Sequence, residues 1–110
     1  MPKRDADLLV EDILEALRKI NLYTAGMGQE EFRQDPKTID AVIRNLEILG
    51  EAARQLPAEF IVRHPGIPWR QIAGLRNRVV HEYFAVDLEI VWQVIRDDLS
   101  QLEAQLKSLE

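Results

Sequence analysis

Arg76, Asn77, His81 and Tyr83 fall within eight residues and are of the types that metal-free chemistry on a phosphodiester requires. A histidine titrates near neutrality, so it can take the proton of a ribose 2′-hydroxyl or return one to a leaving oxygen. An arginine stays charged and offers a planar fork of donors to the negative charge that builds on a phosphorane. Asn77 suits an orienting group. Arg63, Arg70, Arg76 and Arg78 lie between Phe60 and His81, a span that contains no Asp or Glu. The chain carries −5 overall, so with +4 in this span the remainder sums to −9. A cationic island in an acidic protein reads as a place for a phosphate. Net acidity argues against broad nucleic-acid binding and for a local RNA contact.

On a helix, with Arg76 at the origin, Asn77 lies at about 100°, His81 at about 140° and Tyr83 at about −20°. Arg76 and Tyr83 thus share a line, and Asn77 and His81 are neighbours one turn apart. Arg76 and His81 do not share a line. One helix holds them around a groove, and two helices related by a two-fold bring both pairs onto one phosphate. Two subunits then supply two histidines, one as base and one as acid. No His, Asp and Glu cluster stands at ligand spacing, so neither a metal site nor a cofactor is indicated. A plainer reading is also open: an arginine near a helix C-terminus suits the helix dipole, and Tyr83 could pack its ring in an interface.

The elements that position this motif read as helices throughout. The chain has 110 residues, 46% of them hydrophobic and none of them cysteine, which suits a single domain over residues 1–110 without disulfides. Asp5 to about Thr24 is amphipathic through Leu9, Ile13, Ala16, Leu17 and Ile20. Gly26 and Gly28 end it, and Gln29 to Gln34 reads as a loop or short turn anchored by Phe32. Asp35-Pro36 is a cap followed by a first-turn proline, opening a helix to about Gln55 or Leu56. Ala58 to Arg63 reads as a short helical piece, and His64-Pro65-Gly66-Ile67-Pro68 as a rigid connector with His64 exposed. Pro68 opens the motif helix, which buries Ile72, Leu75 and Val79 and frays near Tyr83 or Phe84. Gly74 in mid-helix costs about 1 kcal/mol relative to alanine, which a close approach by a second helix or a second subunit would explain. Asp87 caps a last helix with one apolar stripe from Leu88 to Leu109. Short connections make the whole an all-α antiparallel bundle. No apolar run reaches the length of a membrane span, and no signal core follows the N-terminus, so the expected location is cytoplasmic.

The stretch Ile72–Phe84 resembles the signature of HepT-like toxins in the HEPN ribonuclease superfamily: Arg, a polar residue, three more residues, His, any residue, Tyr. Arg44–Ala53 is similar to that family's second helix, and Asp87–Trp92 to the start of its last. The resemblance implies a HEPN-like homodimer whose two motifs meet in a cleft. It implies a metal-independent endoribonuclease, acting on mRNA or tRNA as the toxin of a prokaryotic type VII toxin–antitoxin system. Its implied partner is a minimal nucleotidyltransferase antitoxin that silences it by AMPylation. Arg76 and His81 become the catalytic pair, Asn77 the polar helper and Tyr83 the modified residue. Arg78 stands outside the fixed pattern and is assigned only an RNA contact. The competing reading is a non-catalytic helical partner whose basic groove binds a nucleotide or docks a nucleotidyltransferase. The acidic net charge suits it, whereas intact Arg76 and His81 favour the enzyme.

Overall fold

The computed structural model describes residues 5–81 and 88–109, the stretch 76–81 by its backbone. Helix α1 spans Ala6–Thr24. Asp5 caps it by accepting the Asp7 N–H at 3.1 Å, and Asp7 adds an acid to the positive end of the helix. At the other end the Thr24 hydroxyl turns back to donate to the Ile20 carbonyl at 2.8 Å. Gly26, at φ +76°, takes the left-handed turn that a side chain would resist.

Residues 29–34, expected as a loop or short turn, are more regular than that. Gln29–Arg33 is a short helix, α2. Its polar sequence hides the reason, which is tertiary. Phe32 is buried, and its ring stacks against Trp92 with centroids 5.2 Å apart. Burying such a ring stabilises by about 1.5–3 kcal/mol, enough to hold one helical turn that propensity would leave unformed.

Helix α3 spans Pro36–Arg54. Asp35 accepts both the Thr38 N–H, at 3.1 Å, and the Thr38 hydroxyl, at 2.8 Å. Val42, Leu46, Leu49 and Ala53, spaced in threes and fours, are buried along it. Asn45 is also buried, its amide donating to the Ala41 carbonyl at 2.8 Å. Helix α4 is Ala58–Arg63, and α5 is Trp69–His81. Helix α3 lies between α1 and α5 and packs on both, so it is the spine of an all-helical bundle.

The last helical run is interrupted where one uniform stripe was expected. Helix α6 covers Leu88–Gln93, a π-helical turn covers Val94–Asp98, and α7 covers Leu99–Lys107. The apolar positions survive the interruption, since Val91, Ile95, Leu99, Leu102 and Leu106 are all buried. The two halves meet different neighbours: α6 packs on α2 and α7 on α1.

Candidate active site

The motif stands on α5, and its support begins one element earlier. His64 ends α4 and is half-buried rather than exposed, its ring 4.7 Å from that of Phe60. Its carbonyl accepts the Trp69 indole N–H at 2.9 Å. Trp69 is itself buried and meets Phe60 edge-on at 5.8 Å, so it belongs to the core. The Ile72 N–H donates to the Pro68 carbonyl at 3.0 Å, which makes the proline the start of the helix. Trp69, Ile72 and Leu75 then seat α5 in the core. The first two turns are thereby clamped, and the helix runs on through Arg76, Asn77, Arg78 and His81. Tyr83 and Asp87, the expected modified residue and cap, lie outside the described residues.

The cationic island divides. Arg63 lines a cleft with Asp5, Asp7, Glu11 and His64, to which no described residue of α5 contributes. Its guanidinium lies 5.9 Å over the Phe60 ring. A site with three carboxylates does not draw a phosphate, so Arg63 leaves the set. Arg70 is exposed on α5. In helical register it falls within about 20° of His81, three turns earlier. Arg70 and Arg78 therefore lie within about 60° of His81 in register, whereas Arg76 stands about 140° away.

The groove beside the helix was not read from the sequence. A cavity of about 630 Å³ separates α5 from α7, with Gln71, Gly74 and Leu75 on one wall and Asp98, Gln101 and Gln105 on the other. Gly74 faces open space, because a Cβ built there meets nothing within 4 Å. The close approach by a second helix of this chain, expected from that glycine, is thus absent among the described residues. The signal was present in Gly74 itself: a glycine in mid-helix can mark a gap as well as a contact. Among the described residues no group of three or more His, Asp or Glu side chains is arranged to hold a metal ion. Nor is any described helix long and apolar enough to cross a membrane.

Comparison with known proteins bears on this helix directly. Residues 13–109 match the family model described as Ribonuclease HepT-like, a span that includes the whole motif. A "Putative RNase" of Methanocaldococcus jannaschii is 40% identical over 114 residues, covering 100% of this chain and 94% of that protein. A "Probable ribonuclease HepT" of Thermococcus cleftensis is 40% identical over 107 residues, covering 97% of each. A "Putative RNase" of Caldanaerobacter subterraneus subsp. tengcongensis is 39% identical over 100 residues, covering 91% of this chain and 89% of that one. No solved structure matches significantly. The chain belongs to the ribonuclease HepT-like family, and with it to the enzymes that cleave RNA.

Proposed function

We propose that this ribonuclease is a metal-independent endoribonuclease toxin acting in the cytoplasm, with Arg76 and His81 as its catalytic pair. The observation that carries the reading is the occurrence of Arg76, Asn77 and His81 on the clamped helix α5, inside the span that matches the family. His81 takes the proton from the 2′-hydroxyl. The O2′–phosphorus bond forms and the phosphorus–O5′ bond breaks. The leaving oxygen is protonated by a second histidine, supplied by the partner in a homodimer. The products are a 2′,3′-cyclic phosphate and a 5′-hydroxyl. Arg76 offsets the charge of the phosphorane, and Asn77 orients the imidazole. Arg78 contacts the RNA backbone.

Silencing is read from the family resemblance. A minimal nucleotidyltransferase antitoxin transfers AMP to the Tyr83 phenol, forming an oxygen–phosphorus bond and releasing pyrophosphate from ATP. The new phosphate pairs with Arg76 or Arg78 and repels the RNA backbone. The test has two parts. Purified protein should cut RNA in EDTA and leave cyclic ends, and His81→Ala or Arg76→Ala should lose about 10²- to 10⁴-fold in rate while staying folded. Cleavage by His81→Ala at the parent rate refutes the catalytic pair. Co-expression with the nucleotidyltransferase should add mass in AMP steps that vanish in Tyr83→Phe. A neutralised but unmodified chain refutes the silencing step.

A further inference from the structure

We propose that the cavity between α5 and α7 is a nucleobase subsite, which takes an amino-bearing base of the RNA next to the cleaved phosphodiester. The inference rests on the ribonuclease reading and names how that site chooses its substrate. Register supplies the first argument. His81 follows Gly74 by seven positions, which on a helix is two turns and a rotation of only about −20°. Arg78 follows Gln71 by the same interval. The face of α5 that lines the cavity is therefore the face along which Arg78 and His81 are set, about 10 Å further on. A strand laid along that face meets the positions of Arg78 and His81 and the cavity in succession.

The chemistry of the lining decides which part of the strand enters. None of the described lining residues is a cation, and Asp98 contributes a carboxylate, so the cavity disfavours a phosphate. Ile72, Leu75 and Leu102 are buried apolar residues that give it a floor against which a flat ring can lie. Gln71, Gln101 and Gln105 bring side-chain amides, each with both donors and an acceptor. One of these is fixed, since Gln105 donates to the Gly66 carbonyl at 3.2 Å. Asp98 accepts from an exocyclic amino group, as carboxylates do when they read cytosine. An amino-bearing base is thus favoured over uracil. The volume, about 630 Å³, lies in the range of sites that bury a small planar ligand. Two features of the fold keep the space open. Gly74 lacks the side chain that would fill it, and the π-helical turn ends at Asp98 and so sets its position on the wall.

The experiment uses the full chain and short RNAs of one frame, in which each position flanking the cut carries A, C, G or U in turn. The parent should show a preference of roughly tenfold in kcat/KM for an amino-bearing base over uracil at one flanking position, the scale of one specific base contact. Asp98→Ala and Gln101→Ala, both exposed positions, should bring that ratio toward one. Gly74→Leu, which fills the cavity, should raise KM for the preferred RNA. Equal cleavage of all four bases by the parent overturns the subsite while leaving the ribonuclease intact. So does a uniform loss on every RNA in the variants, or a change of oligomeric state in Gly74→Leu, because either assigns the groove to structure. A parent that cuts none of the RNAs refutes the ribonuclease reading itself.

Discussion

Replacing Gly74 by alanine should stabilise the protein, although glycines in functional helices are usually thought indispensable. The residue lies in the interior of α5, and its φ is not among the positive ones of the described residues. Alanine therefore adopts this backbone without strain. The added methyl meets nothing within 4 Å, so it neither clashes nor gains packing. What remains is the intrinsic difference between the two residues in a helix. It amounts to about 1 kcal/mol in favour of alanine and arises largely from the freedom that glycine has in the unfolded chain. For a chain of this size that corresponds to a rise in Tm of about 4 °C. In urea it corresponds to a midpoint shift of about 0.5 M at unchanged slope. Thermal melts by circular dichroism at several protein concentrations measure it. A lowered Tm would refute the reasoning, because it would mean that something occupies the Cβ position in the assembled protein. The groove beside the motif would then be filled by another subunit and closed to RNA.

Phe32→Ala should cost about 3–5 kcal/mol, since it removes a fully buried ring and the partner of Trp92. A urea midpoint within error of the parent would show that α2 contributes nothing to the core. Asp35→Ala should lower Tm at neutral pH, and the difference should depend on pH with a definite sign. The Thr38 hydroxyl, followed by the Thr38 backbone N–H, holds the Asp35 carboxyl below its ordinary value of 3.8. A depressed folded value means that the stabilisation is fully present above the ordinary value and fades as pH falls through the lowered one. Parent and variant melts should therefore differ most at neutral pH and converge only as the pH falls from the ordinary value of 3.8 through the lowered one. A pH-independent gap would assign the effect to helix propensity instead of the cap.

The bundle was legible wherever local chemistry and core pattern agreed. Asp5, Asp35 with Pro36, and Pro68 each announced a helix start, and the threes and fours from Val42 to Ala53 are the face that α3 buries. Phe32 was legible as an anchor but its helix was not, because a five-residue turn held by one distant ring leaves no periodic trace. The π-helical turn was hidden for the opposite reason. Val91, Ile95, Leu99 and Leu102 follow ordinary helical spacing, so nothing in the pattern marks the extra residue. In the site, the helix that carries Arg76, Asn77 and His81 was readable, whereas the cavity was not. Its second wall comes from Asp98, Gln101 and Gln105, which are unremarkable as a sequence and acquire meaning only by lying across from Gly74. Arg63 shows the converse error. Sequence proximity grouped it with the motif arginines, and the fold sent it to the carboxylates of α1.

The wide turn at Val94–Asp98 also gives the last helix a tolerance that its neighbours lack. Deleting one residue from a regular helix rotates everything downstream by about 100°, which would turn Leu99, Leu102 and Leu106 off α1. A π-helical turn already holds one residue more than an α-helical turn for nearly the same rotation. Losing a residue there relaxes the turn to ordinary α geometry and leaves α7 facing as before. Chain length is thus adjustable by one residue at this place alone in the α6–α7 run. The residue lost falls within Val94–Asp98, at the wall of the cavity, so that wall can be reshaped without disturbing the core behind it.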